Sequence, residues 1–408
     1  MTDPDRLDDQ IAAAAEALRH RLADVAGPII AVTCIRDEAD VVERFVRHNL
    51  AVVDGLIVLD HRSRDRTPDI VAALVAEGLP LALCRANLPG KHQGDWMTRM
   101  ARTAATRLGA HPVVPLDADE FLAGSDRDRM RALMKAMPRD GVTALEWMSY
   151  VPMPDDPAGE IDVLARIIHR RAREVSRTLK LAVGAELAAD PDFLWSHGMH
   201  RATRGLDDLR PAPQAPELAL AHFPVRSVDQ LRAKVATSRI ANAVRTGRTD
   251  YLCYDWLEDI VPLVPRMTAD DLRRAAVHYL CDRDFGDDEV VADPLRALGG
   301  PLRYTAGDVP DALDRVMWSA MDLALLCAAR PEIADSNPGD ASILEQNRRL
   351  RAAFARLREH LLLERATPDE LATAVIEARP QLRDVPATAL AREMLFRVRR
   401  RFGRLISR

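Results

Sequence analysis

The sequence predicts an α/β fold: a mostly parallel sheet flanked by helices, followed by an all-helical C-terminal region. Three observations predict it. Short apolar runs alternate with segments of helical spacing through the first ~120 residues, the pattern of successive βαβ units. Polar and acidic residues collect after the first, second and fourth runs, where open α/β sheets bind ligands. Beyond about residue 240 the apolar spacing stays helical and strand signals fade.

Residues 8–26 have amphipathic helical spacing and end before Gly27-Pro28. They read as a packing arm. Residues 29–35 form a continuous apolar run with β-branched side chains, as in a strand buried on both faces. Arg36-Asp37-Glu38 follows it, then a helix carrying Val41, Val42, Phe45, Val46 and Leu50. Residues 56–60 are a second buried strand that ends in the carboxylate of Asp60. A polar loop over 63–67 leads to Thr67-Pro68-Asp69, which opens a helix with a cap, a first-position proline and an acid in the first turn. Residues 81–84 are a third strand, 91–107 contain a helix, and Val113-Val114 is the fourth strand. Residues 141–150 read as a single fifth strand holding Trp147, and 218–223 as another holding His222. Ser227 starts a helix with a capping-box pattern. Further on, 268–271 and 367–370 look like helix starts, and 343–363 and 390–408 like long amphipathic helices.

The stretch from Pro115 to Leu122 organises the rest. It runs a buried strand straight into Asp117, Asp119 and Glu120, a costly cluster of negative charge unless a cation sits there. On an extended chain Asp117 and Asp119 point the same way. That suits a hard divalent cation with oxygen ligands. The alternative is a solvated acidic turn. Together with Asp60, these residues make a candidate site at the carboxyl ends of the strands.

The chain of 408 residues suits about two domains. A net charge of −5 points to no nucleic-acid partner. Five cysteines without metal or C-x-x-C spacing suit a reducing compartment, and no apolar run approaches the ~20 residues of a spanning helix. The chain reads as cytoplasmic. A Gly-x-Gly-x-x-Gly after the first strand, a P-loop and a Gly-x-Ser-x-Gly are all missing, which argues against dinucleotide, P-loop and α/β-hydrolase chemistry. Basic residues are nearly all arginine. The four lysines, Lys91, Lys135, Lys180 and Lys234, therefore stand out as places where a compact ammonium matters.

Residues 29–235 resemble the glycosyltransferase family 2-like group of GT-A fold. The resemblance is carried by Arg36-Asp37-Glu38-Ala39 after the first strand, and by Asp60 with Ser63-Arg64-Asp65-Arg66-Thr67 after the second. It continues through Asp117-Ala118-Asp119-Glu120-Phe121, Trp147, Lys180, Gly198-Met199-His200 and the stretch from Leu220 to Ser227. Two positions depart from the group: Asp37 stands where asparagine is usual, and Val151-Pro152 follows Tyr150 in place of Phe-Gly.

The resemblance implies a GT-A domain over 27–238, preceded by the arm of 1–26 and followed by a helical domain over 239–408. It implies transfer of a sugar, with inversion, from a nucleotide-sugar donor to a hydroxyl of a glycan or other acceptor, assisted by Mn2+ or Mg2+. Asp119 would ligate the metal, Asp117 would share it or hold the ribose, and His222 would be a third ligand or a phosphate contact. Asp37 and Asp60 would contact the nucleoside, and Lys180 the phosphates or acceptor. Glu146 and His200 are candidate general bases, with Asp155 and Asp156 beside them. Structural alternatives stand next to these roles: a satisfied core histidine for His222, a turn carboxylate for Asp60, a salt bridge or cap for Glu120, and solvated surface for Lys180. The arginine-rich tail reads as a packing helix, with peripheral contact to an anionic membrane as the alternative. Two rival functions are a catalytically silent scaffold module of a polysaccharide assembly and a metal-dependent nucleotidyltransferase. The oligomeric state has no signal in the sequence.

Overall fold

Alternating apolar runs and amphipathic segments fold as the pattern requires. A computed structural model of the chain describes residues 4–86, 92–124, 126–174, 179–212, 217–235, 237, 267–279 and 289–306. The N-terminal half runs α1 (Pro4–Arg19), β1 (Ile30–Ile35), α2 (Val42–Leu50), β2 (Gly55–Asp60), α3 (Thr67–Ala76), β3 (Leu81–Arg85), α4 (Gln93–Leu108), β4 (Val113–Pro115), β5 (Glu120–Ala123) and α5 (Arg127–Lys135). Then come β6 (Val142–Leu145), β7 (Trp147–Val151), α6 (Val163–Arg166), β8 (His169–Arg171), β9 (Lys180–Val183) and α7 (Ala185–Ala189). The remainder comprises β10 (Phe193–Trp195), a 3-10 turn (His197–Met199), β11 (Ala202–Arg204), β12 (Asp207–Asp208), β13 (Ala219–His222), α8 (Ala269–Val277) and β14 (Val290–Ala292). Residues 228–235, between β13 and α8, are also helical.

The main sheet has the order β3-β2-β1-β4-β9-β6. β1 to β4 are parallel; β9 runs antiparallel to both β4 and β6. The chain builds outward from β1 to β3 and then returns to the other side of β1, so strand order reverses between β1 and β4. That reversal opens a crevice at the carboxyl ends of the two strands. Alternate residues serve opposite faces: Ile30, Val32, Ile57 and Leu59 pack with α1 and α4, whereas Ile29, Ala31, Leu56 and Val58 pack with α2 and α3. A second sheet, β14-β8-β7-β13-β5, covers the latter side, and β10-β11-β12 form a small antiparallel sheet.

Three expectations are corrected. The first helix stops at Arg19 rather than Ala26, because the turn after it lets Arg21 donate to the carbonyls of Gly78 (2.5 Å) and Leu79 (3.1 Å). Residues 141–150 are two strands, not one. The chain leaves the main sheet after Leu145 and enters the second at Trp147, and the carbonyl of Glu146 accepts from Leu220 N (2.9 Å) at the hand-over. Finally, Asp117 and Asp119 lie in a turn, closed by Glu120 N donating to Asp117 O (3.0 Å), and not on an extended chain.

The polar side of α2 is buried as well as its apolar side. Glu43, Arg44, Arg47, His48 and Asn49 are all buried, Asn49 against the β5 backbone at Glu120 and Leu122 and the others where residues 298–305 lie across them. Glu43 accepts from the backbone N–H groups of Arg303 (2.7 Å), Tyr304 (2.8 Å) and Thr305 (2.7 Å). Arg44 donates to the carbonyls of Leu298 (3.0 Å) and Gly300 (2.9 Å). Between them Gly299 has φ +78 and abuts the Arg47 carbonyl so closely that a Cβ has no room. The expected helix start at 268–271 holds, with Thr268 and Asp271 in a reciprocal capping box. The expected helices over 343–363 and 390–408, the start at 367–370, and Lys91 lie outside the described residues. Among the described residues, no helix is long and apolar enough to cross a membrane.

Candidate functional site

Two loops close the crevice at the ends of β1 and β2. The loop after β1 turns sharply at Asp37, which adopts φ 55, and the Ser63–Thr67 loop holds it in that shape. Ser63 Oγ accepts from Asp37 N (2.9 Å), Thr67 Oγ1 from Glu38 N (2.8 Å), and Asp65 Oδ2 from Ala39 N (3.0 Å). In return Asp37 Oδ1 accepts from Arg64 N (2.7 Å). The Ser-x-Asp-x-Thr residues thus act as a clasp, with hydroxyls and carboxylate spent on backbone N–H groups. Asp60 sits buried beneath it and accepts from Ser63 N (3.3 Å). Burial raises its carboxyl, against the pull of Ser63.

The Asp-x-Asp turn emerges on the other side of the crevice, and its two acids face different partners. Asp117 accepts from Lys180 Nζ (2.5 Å) and Gln93 Nε2 (2.8 Å). Burial opposes its ionisation, but Lys180 overrides this and holds Asp117 below the usual carboxylate range. Lys180 is completely buried and also reaches Glu120 Oε1 (3.2 Å). Glu120, equally buried, accepts from Asp117 N (2.8 Å) and Trp147 Nε1 (2.9 Å). Burial raises the Glu120 carboxyl while Lys180 pulls it down. All three of its hydrogen-bond partners are donors, the arrangement a carboxylate satisfies. The salt-bridge alternative considered for Glu120 is therefore what the structure contains.

Asp119 occupies a more cationic surrounding. The β5–β13 register sets Glu120 opposite His222, which brings His222 Nε2 within 3.8 Å of Asp119 Oδ1. Lys234 Nζ lies 3.3 Å and Arg226 3.7 Å from Asp119 Oδ2. Burial again opposes ionisation, yet Lys234, His222 and Arg226 hold Asp119 far below the usual range. His222 stacks on the Trp147 ring (centroids 4.2 Å apart, 29° between planes). Burial drives its pKa down to about 3, so the imidazole is neutral. Its Nδ1 is buried with no hydrogen-bond partner among the described residues. Arg226 is committed elsewhere: it donates to Asp40 Oδ2 (2.7 Å) and forms a 2.5 Å ion pair with Glu38. Burial and the neighbouring acids raise Glu38 to about 7 in spite of Arg226.

No family model matches the chain, and no curated protein does. Among solved structures it is similar to a mannosyltransferase from Pyrobaculum calidifontis in complex with GDP-Man and Mn2+, at 15% identity over 91% of this chain and 98% of that one, with a TM-score of 0.31. It is also similar to the glucosyl-3-phosphoglycerate synthase of Mycobacterium tuberculosis in complex with Mn2+, UDP and glucosyl-3-phosphoglycerate. There the identity is 16% over 58% of this chain and 85% of that one, with a TM-score of 0.28. A third is the mannose-1-phosphate geranyltransferase of Thermus thermophilus, at 12% identity over 66% and 73% of the two chains and a TM-score of 0.24. At TM-scores this low the likeness decides nothing about this chain, and the site must be judged on its own geometry.

The structure gathers Asp117, Asp119, Lys180 and His222 into one connected group, with Asp37 and Asp60 on the clasped loops of β1 and β2. His200 is half-buried, bonded through Nδ1 to Leu179 O (2.9 Å), and stands edge-on to Trp147 at 5.5 Å. Its neighbour Gly198 (φ +74) leaves no room for a Cβ against the imidazole. Glu146 is exposed at the hand-over between sheets. Asp156 is spent within its own turn, accepting from Met153 N (2.8 Å). The sequence offered no signal for Gln93 or Asp40, and held Glu38 and Arg226 only as members of the motifs that carry the resemblance. Lys234 carried one signal, its rarity as a lysine among arginines.

Proposed function

We propose that the chain is a metal-dependent glycosyltransferase of GT-A architecture that moves a sugar from a nucleotide-sugar donor to an acceptor hydroxyl with inversion. The observation that carries this reading is the pairing of an ionised Asp119 with a neutral, stacked His222 beside the strand-order reversal. A carboxylate oxygen and an unprotonated imidazole suit a divalent cation. His222 turns Nε2 toward Asp119 Oδ1 at 3.8 Å, and this unprotonated nitrogen would be its ligand atom. Among the described residues no three His, Cys, Asp or Glu side chains already form a cage. The remaining oxygens would come from the donor diphosphate and water, which suits a cation that arrives with its substrate.

Asp119 and His222 would hold Mn2+ or Mg2+, and that ion would act as a Lewis acid on the leaving diphosphate. Asp117, locked by Lys180 and Gln93, offers its exposed edge to the ribose. Asp60 and Asp37 face the nucleoside from the clasped loops. Lys180 acts from beneath by fixing Asp117 and Glu120. His200 and Glu146 both border Trp147, one by ring contact and one in sequence, and are the candidates to take the acceptor proton. The catalytic unit spans 27–238, with the described residues of the arm of 1–26 against it; described residues of the region 239–408 complete the second sheet and cover α2.

Release of nucleoside diphosphate from a panel of nucleotide sugars, with and without Mn2+, tests this. Metal-dependent release from one donor, lowered roughly a hundredfold or more in Asp119→Ala, is expected. A folded protein that releases none would favour a silent scaffold. The same assay separates the two base candidates: the base variant, His200→Ala or Glu146→Gln, loses kcat by roughly a hundredfold with donor affinity unchanged.

A further inference from the structure

Three nitrogen-bearing side chains surround Asp119, and they differ in freedom. His222 is wedged against Trp147. Arg226 is 1% exposed and held by Glu38 and Asp40. Lys234, on the helical segment 228–235, is 31% exposed. Its ammonium touches Asp119 Oδ2 at 3.3 Å and the Pro224 carbonyl at 3.0 Å, and lies over the Tyr279 ring at 5.4 Å. Its four-carbon stem lets the ammonium change partner without moving the backbone, unlike the doubly anchored guanidinium of Arg226.

We propose that Lys234 is a diphosphate-binding residue that stands in for the metal at Asp119 and transfers to the donor diphosphate when the ion arrives. This rests on the reading of the site given above and goes beyond it. A divalent cation held by Asp119 and His222 would share one carboxylate with the ammonium on Oδ2, and like charges so close repel. Lys234 would be pushed off that oxygen, and the anion entering with the ion would be the diphosphate. The ligand class is therefore a nucleoside diphosphate or inorganic pyrophosphate, which both the ion and the ammonium would contact. Two consequences follow. The protein binds metal alone weakly, because Lys234 competes for Asp119. It binds metal and diphosphate cooperatively, and by linkage each strengthens the other equally.

The test measures two affinities in wild type, Lys234→Gln and Lys234→Arg: Mn2+ alone, by electron paramagnetic resonance, and UDP or GDP at saturating Mn2+, by calorimetry. In Lys234→Gln the expected changes have opposite signs. Mn2+ alone binds about threefold tighter or more, while the nucleoside diphosphate binds about tenfold more weakly. Lys234→Arg keeps the charge and retains diphosphate affinity to within a few-fold. Weakening of both affinities in Lys234→Gln, as for a residue that merely supports the fold, would overturn the proposal, and so would no change in either. A wild type that binds neither Mn2+ nor diphosphate would overturn the glycosyltransferase reading and this inference together. A wild type that binds both, with Lys234→Gln unaltered, would sink this inference alone.

Discussion

Lys180 is the most informative single side chain near the site. It is completely buried and bridges Asp117 and Glu120. Lys180→Met leaves two carboxylates in a low-dielectric setting without their cation, a loss of roughly 3–5 kcal/mol, read from urea unfolding. The double variant Lys180→Met/Glu120→Gln should cost clearly less than the sum of its parts, because the second change removes a charge that the first has stranded. Additive costs would contradict the network. At this scale the sequence named most of the players but not their partners. Asp117, Asp119 and His222 were visible as residue types at strand ends, and Lys180 by its rarity among arginines and its place in the resemblance. That Lys180 lies under Asp117, and that His222 stands opposite Glu120, follows from the β4–β9 and β5–β13 pairings, which residue spacing does not encode.

Among the elements, α2 depends most on distant sequence. Its apolar spacing was legible; the burial of its polar side was not, because the covering segment lies 254 residues further on, as in the Arg44–Leu298 contact. His48 illustrates the energetics. One ring nitrogen bonds the Leu122 carbonyl (2.9 Å) and the other accepts from Leu298 N (3.3 Å), so only the neutral ring satisfies both. Burial lowers its pKa from 6.5 to about 4. A depressed histidine adds stability that is present above its unfolded pKa and lost as pH falls through the folded one. The contribution should disappear between about pH 6.5 and 4 and amount to about 3 kcal/mol. Unfolding free energies of wild type and His48→Gln across that range check this: their difference should shrink as pH falls, and a constant difference would contradict it. Glu43→Gln should speed hydrogen exchange at Arg303, Tyr304 and Thr305, whose N–H groups converge on that carboxylate.

On the scale of the whole molecule, the second sheet ties the later chain to the site. Arg171 on β8 donates to the carbonyls of Ala276 (3.2 Å) and Tyr279 (2.6 Å) at the end of α8. Tyr279 in turn lies edge-on to His222 at 5.4 Å. Arg171→Met should therefore weaken diphosphate binding several-fold although Arg171 is not placed in the binding group; calorimetry with UDP or GDP and Mn2+ measures it, and unchanged affinity would break the link. The parallel β1–β4 core was readable because each strand is an apolar run set off by a helix of different period. The division of 141–150 between two sheets was not, because no glycine or proline marks a turn at Glu146 and only the pairing of β6 with β9 and β7 with β13 separates the halves.

The central claim is a metal–diphosphate site at Asp119 and His222, and thermal denaturation tests it most directly. Wild type, Asp119→Ala and His222→Ala would each be melted against a panel of nucleotide sugars, with and without Mn2+. A ligand that binds only the folded state raises the melting temperature. The expected result is a Mn2+-dependent rise for one class of donor in wild type, absent from both variants. A rise that survives Asp119→Ala, or that needs no metal, would contradict the account.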